Sequence, residues 1–243
     1  MKTEQRHAGR DAPLRVAITG GTSGLGLALV REWQARGARV AFVARDAARV
    51  AQLQAQLAGT HGIAGDVAAK ADIHRIALQV LGALGGLDVL INNASSLGPV
   101  PLALLADTEC EAFEEALATN LLGPFRLTRA LLGALAAAAR EGRGAVVLNV
   151  TSDAAVCAYP RWGAYGTSKA ALLQLSRIWD EELAGCGVRV LALDPGDMDT
   201  PLHALAVPEA DPASLKRPAA AARELADAIE AALQGAPVVA AAA

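Results

Sequence analysis

The stretch Thr19 to Gly26, TGGTSGLG, constrains the fold more than any other, because it joins two patterns of different period. Before it stands the short apolar run Leu14 to Ile18, and after it LALVREWQARG keeps a helical rhythm that closes at Gly37. Strand, glycine turn and helix in that order read as a phosphate-binding turn rather than a flexible loop. Glycines at 20, 24 and 26 let the backbone turn tightly and approach a pyrophosphate, with Thr22, Ser23 and Leu25 in the same turn. The positive end of the following helix dipole stabilises the phosphate charge.

A second strand, Arg39 to Ala44, follows at once, and a dinucleotide site places its ribose selector at the end of such a strand. An acid there accepts from the 2′-hydroxyl of NAD, whereas an arginine accommodates the 2′-phosphate of NADP. Here the residues are Val43, Ala44, Arg45 and Asp46. With Ala44 at the selector position the acid is missing, and Arg45 is free to pair with a phosphate, Ser23 assisting. NADP(H) is therefore expected; the alternative is NAD(H) with Asp46 as the acceptor.

Helical and strand patterns then alternate. HGIAGDV ends in Asp66 and Val67, LDVLINNAS in Asn92, Asn93 and Ala94, AVVLNV at Val150, and Val188 to Leu193 in DPGDMDT. This rhythm implies βαβ units and a parallel sheet, whose ligands sit beyond the carboxyl ends of the strands. Asn92 reads equally as a structural amide and as a cofactor contact. Within a long helical stretch beginning at Glu109, Asn120, Gly123 and Pro124 all weaken a helix, a local breach expected at functional sites. Pro201 to Pro218 reads as a surface loop, with a helix of about fifteen residues after it.

Asn149 to Lys169 carries the candidate chemistry. Tyr165 and Lys169 are four residues apart, one helical turn, so an ammonium can act on a phenol and lower its pKa from about 10. Such a tyrosine suits general acid–base work, and Ser152 can hold a carbonyl oxygen in its reach. Alone, this pair is an ordinary exposed face. Tyr159 and Trp162 suggest a flat or apolar substrate face, or else packing.

Composition narrows the partners. A net charge of −3 over 243 residues gives no broad basic field, so neither nucleic acid nor a membrane surface is indicated. Much of the 53% hydrophobic content is alanine, and no uninterrupted apolar run approaches the ~18 to 20 residues of a bilayer span. Residues 1–13 read as a flexible arm without a signal peptide's apolar core, and a cytoplasmic setting is expected. Cys110, Cys157 and Cys186 fit reduced thiols; Cys157 has no evident histidine partner. His7, His61, His74 and His203 show no metal-ligand spacing, and His203 reads as a surface group more readily than as one that faces a substrate.

Taken together these residues resemble the short-chain dehydrogenase/reductase family in its compact single-domain form, from about Leu14 to Thr200. The family's T-G-x-x-x-G-x-G stands as Thr19, Gly20, Gly24 and Gly26, and its N-N-A-G as Asn92, Asn93 and Ala94, with Ser95 in place of the last glycine. Its catalytic quartet is matched by Asn120, Ser152, Tyr165 and Lys169, the serine thirteen residues ahead of the tyrosine. The resemblance implies a Rossmann-type, doubly wound parallel sheet in an α/β/α sandwich, as one domain over residues 14–243 with a substrate loop at about 198–218. It implies that Tyr165 exchanges a proton with the substrate oxygen and Ser152 orients that oxygen. Lys169 would hold the nicotinamide ribose, and Asn120 would hold a water linking Lys169 to solvent. Thr19, Gly20, Thr22, Ser23, Gly24, Leu25 and Gly26 would form the phosphate turn. Asp66, Val67, Asn93 and Ala94 would contact the adenosine side, and Pro195, Gly196 and Thr200 would pass the nicotinamide. Many relatives end in a further strand, of which only Val238 and Val239 hint here; a dimer through the helices of Asn120 and Tyr165 is expected.

The expected function is NADP(H)-dependent interconversion of a carbonyl and a secondary alcohol on a small or medium-sized molecule, with no metal. The alternative is a silent dinucleotide-binding regulator or scaffold, which has no need of the whole quartet. An epimerase or dehydratase would bring a larger C-terminal region and a different glycine spacing.

Overall fold

The computed structural model describes residues 12–236, so most of the N-terminal arm and the hinted strand at Val238 and Val239 lie outside the described residues. Six strands form one parallel sheet: β1 (Arg15–Thr19), β2 (Arg39–Ala44), β3 (Thr60–Ala64), β4 (Val89–Asn92), β5 (Ala145–Val150) and β6 (Val188–Leu193). Their order is β3-β2-β1-β4-β5-β6. The chain thus winds outward in both directions from β1 and β4, and the crevice beyond their carboxyl ends is where such a sheet takes a ligand.

Alternation along each strand makes the two cores. Val16, Ile18, Val89, Ile91, Val146 and Leu148 face one side, packed by α1 (Gly24–Ala35), α2 (Ala47–Gln56) and α8 (Pro218–Leu233). Ala17, Leu90 and Val147 face the other, covered by α3 (Ile73–Leu84), α5 (Gly123–Arg140) and α6 (Gly163–Leu183). Buried on both faces, the strands read as continuous apolar runs.

The stretch Cys110–Arg140 is long and apolar enough to cross a membrane, at mean hydropathy 1.2. It packs Leu127, Leu131 and Leu135 into the sheet instead, all fully buried. It is not one regular helix. After α4 (Cys110–Leu117) the turn widens into a π-helical segment at Ala118–Leu122, and α5 restarts with Pro124 in its first turn. A proline there gives up an N–H that the new helix start would leave unpaired anyway. Gly123 is needed because a Cβ would stand 3.0 Å from the Val67 carbonyl.

The stretch read as a surface loop is more ordered than expected. Pro201–Ala206 forms α7, capped by Thr200, and a parallel bridge ties Met198 to Lys216. At the opposite, amino end of the sheet, fully buried Asp88 pairs with Arg15 and Arg143, each at 2.7 Å.

Candidate active site

Beyond the carboxyl ends of the strands lies a cleft of about 1030 Å³. At one end the glycine turn shapes it. Gly20 and Gly24 hold φ of 69° and 48°, and a Cβ at Gly26 would collide with the Gly20 carbonyl. Ser23 caps α1 without a side-chain bond, and no acid occupies the first turn. The amide groups there are left for an anion, whereas α2 is closed by its own Asp46, which accepts from Arg49 N at 3.0 Å. That capping duty weighs against Asp46 as a ribose acceptor.

Arg45 stands exposed on the rim of this end, and Arg49 joins it. The Arg49 Nε donates to the Thr22 carbonyl at 3.1 Å, which fixes the guanidinium beside the turn and leaves its two outer nitrogens for a ligand. The sequence reading missed Arg49; its signal was a second arginine one helical turn past Arg45. A dinucleotide diphosphate and an extra ribose phosphate both fit these groups. Asp66, Val67, Asn93 and Ala94 line the same end.

Thr19, expected in the phosphate turn, and Asn92, read equally as a structural amide and a cofactor contact, both tie neighbouring segments together. Thr19 is buried away from the cleft; its Oγ1 accepts from the backbone N–H of Asn93 and of Ala94, both at 3.0 Å, and so fastens the turn after β4 to β1. Asn92 is likewise buried, donating to Asn149 Oδ1 at 2.8 Å and to Thr128. Asn93 lines the cleft and also donates to the Thr19 carbonyl at 2.9 Å.

At the other end Ser152, Tyr165 and Lys169 line one wall. The register of β5 against β6 pairs Val150 with Leu193, which sets Ser152 near Asp194, Pro195 and Gly196 just past the strand ends. Lys169 is almost fully buried, its Nζ donating to the Val150 carbonyl at 2.8 Å and lying 5.4 Å from the centre of the Tyr165 ring. Burial pushes the Tyr165 phenol up to about 12, the hydroxyls of Ser152 and Ser95 pulling the other way and Asp194 adding to the rise. Burial pulls Lys169 down to about 8, against the attraction of Asp194. This corrects the expectation of a lowered tyrosine: desolvation of the phenolate outweighs the ammonium, which bonds to a carbonyl rather than to the phenol.

Asn120 is fully buried and does not line the cleft. Its Oδ1 accepts from Ser96 N at 2.8 Å and Ser95 Oγ at 3.2 Å, and its Nδ2 donates to Ser96 O and Ser168 Oγ, both at 2.8 Å. Every donor and acceptor of the amide is thereby used, so its side chain ties the loop of Ser95 and Ser96 to α6 and has no free group for a water. Ser95, standing where the family has glycine, adds one of these bonds.

His203 departs from its surface reading. From α7 it lines the cleft, with Nε2 at 3.7 Å from Asp197 Oδ1 and Nδ1 buried without a partner. The short α7 inside a proline-rich stretch hid this placement. Thr200 and Leu202 bring the same helix over the cleft, and Trp162 packs edge-on against Tyr165 at 5.6 Å. Cys110, Cys157 and Cys186 are exposed free thiols, and the described residues hold no group suited to a metal.

Comparison with known proteins matches this geometry. Residues 15–210 fit the family model described as short chain dehydrogenase. The chain is 35% identical to 2-(R)-hydroxypropyl-CoM dehydrogenase of Xanthobacter autotrophicus over 198 residues, covering 77% of this chain and 76% of that one. It is 32% identical to L-fucose dehydrogenase of Mus musculus, covering 81% and 70%. Among solved structures, the alcohol dehydrogenase of the archaeon Thermococcus sibiricus complexed with 5-hydroxy-NADP superposes with TM-score 0.80 at 26% identity, over 90% of this chain and 91% of that one. With the glycine turn, the parallel sheet and the serine, tyrosine and lysine at one cleft, the chain belongs to the short-chain dehydrogenase/reductase family.

Proposed function

We propose that the protein is an NADP(H)-dependent oxidoreductase that interconverts a carbonyl and a secondary alcohol, with Tyr165 as the acid–base group. The observation that carries this reading is the single cleft in which Ser152, Tyr165 and Lys169 stand at one end and the glycine turn with Arg45 and Arg49 at the other. A bound nicotinamide dinucleotide supplies or accepts the hydride. Arg45 and the outer nitrogens of Arg49 would hold a 2′-phosphate, and the N-terminus of α1 the diphosphate.

With its phenol held near 12, Tyr165 is protonated at neutral pH and ready to donate to the oxygen of a carbonyl as hydride reaches the carbon. Lys169, charged below about 8, stands over the ring and steadies the phenolate that remains. Ser152 orients the substrate oxygen. Burial thus favours the tyrosine state needed for reduction. The apolar wall of Leu97, Trp162 and Leu202 excludes water on the substrate side. The names of two relatives, L-fucose dehydrogenase and D-threitol dehydrogenase, support a small polar alcohol as substrate.

We also propose a dimer through the helical stretch that carries Asn120 and through α6, where Leu122 of the π-helical segment and Ile178 of α6 are exposed. The function is tested by following oxidation of NADPH and NADH against aldehydes, ketones, quinones and oxoacyl thioesters. Turnover preferring NADPH is expected; binding of neither cofactor, or turnover of no carbonyl, overturns the reading.

A further inference from the structure

Asp153, directly after Ser152, is the residue that the mechanism above leaves unused. Its carboxylate lines the substrate end of the cleft. Its Oδ1 accepts from Ser152 Oγ at 2.9 Å and Ala154 N at 2.7 Å, and its Oδ2 accepts from the Tyr159 hydroxyl at 2.8 Å. Among the described residues no arginine or lysine forms an ion pair with it. It is a negative charge held by hydroxyls and an amide at the place where substrate must sit.

An ionised carboxylate offers about four acceptor positions, so one remains open here. A second opens during reaction. To polarise a substrate oxygen, Ser152 must turn its hydrogen from Asp153 toward that oxygen, and Asp153 then lacks a donor in a partly dry site. Leaving a part-buried charge short of a bond is costly, and a substrate that brings its own donor beside the reacting carbon relieves that cost. A substrate carboxylate in the same place meets repulsion, and Asp194, Asp197 and Asp211, which line the same cleft, add to it. Against them at the substrate end stands Lys169, while Arg45 and Arg49 lie at the cofactor end of the cleft. The Asp153 bond also raises the Tyr159 phenol, keeping it a donor.

We infer that Asp153 is a specificity-determining residue that selects carbonyl or alcohol substrates bearing a hydroxyl or ammonium next to the reacting carbon, and rejects 2-hydroxy and 2-oxo acids. This rests on the oxidoreductase reading of the same cleft and names its substrate class.

The test is steady-state oxidation of four matched alcohols with NADP: butan-2-ol, butane-2,3-diol, 1-aminopropan-2-ol and lactate. In the wild type, kcat/KM is expected to be higher for the diol and the amino alcohol than for butan-2-ol, with lactate lowest. In Asp153→Asn the ratio of amino alcohol to butan-2-ol falls, and that of lactate to butan-2-ol rises, each by about tenfold, the scale of one removed charge at a part-buried site. Tyr159→Phe removes a donor but keeps the charge, so discrimination against lactate survives in it. Ratios unchanged within about twofold in Asp153→Asn, or a wild type that prefers lactate, overturn the proposal. A wild type silent on all four yet active on the carbonyl panel overturns the proposal alone; silence on both overturns the oxidoreductase reading with it.

Discussion

The Lys169 ammonium lies 5.4 Å from the centre of the Tyr165 ring and spends its hydrogen bond on the Val150 carbonyl, 2.8 Å away. The lysine is therefore a buried cation tied to the end of β5, and its effect on the phenol is through space. Its folded pKa of about 8 lies below the ordinary 10.5, so between these values the unfolded chain binds more protons. Its contribution to stability rises with pH through that window and is lost as pH falls through about 8. Tyr165 works oppositely, its contribution being lost as pH rises from about 10 toward 12. Urea midpoints of wild type and Lys169→Met, taken from pH 7 to 10, should differ progressively in favour of wild type; parallel curves would contradict the assignment.

The cofactor end gives a separate expectation. Replacing Arg49 by Ala, or Arg45 by Ala, should raise the KM for NADPH by about 10- to 100-fold, the scale of one charged hydrogen bond to phosphate. The KM for NADH should change by less than about threefold, since no 2′-phosphate is there to lose. Parallel kinetics with both cofactors check this, and equal losses would show that these arginines only shape the loop.

Gly26→Ala should abolish binding of either cofactor, because the added methyl meets the Gly20 carbonyl and the turn must open. Gly37, with nothing near its missing Cβ, serves as the comparison, although its φ of 78° makes Gly37→Ala cost about 1 kcal/mol of stability. Calorimetric titration with NADPH separates the two effects.

Asp88→Ala should cost about 3 to 5 kcal/mol in urea unfolding, since it strands Arg15 and Arg143 at a buried site. Burial alone would raise the Asp88 carboxyl, but bonds from Arg143 and Arg15 hold it below its ordinary value. Its contribution is thus present at neutral pH and lost as pH falls through the acid range. The KM values should stay near wild type, because Asp88 sits at the end of the sheet opposite the cleft.

What the sequence disclosed followed from periodicity and local chemistry. The apolar runs located four of the six strands within a residue, since strands buried on both faces must be continuously apolar; the strand read as HGIAGDV ends early, at Ala64, and that read as Leu87 to Ser95 shrinks to Val89–Asn92, because its polar end turns away to bind Thr19 and Asn120. Asn120 marked a broken helix, and the π-helical turn is that break. Long-range effects were not legible. The weight of desolvation over the Lys169 charge at Tyr165, the turning inward of His203 by α7, and the bond from Ser152 to Asp153 all depend on which segments cover the cleft.

The central claim is that Tyr165 transfers the proton, and Tyr165→Phe tests it most directly. Because the ring stays and only the hydroxyl goes, NADPH affinity measured by fluorescence should remain within about threefold of wild type, while kcat falls by about 10² to 10⁴. A Tyr165→Phe enzyme that binds NADPH and still reduces the wild type's best carbonyl within about threefold of its rate would contradict the account.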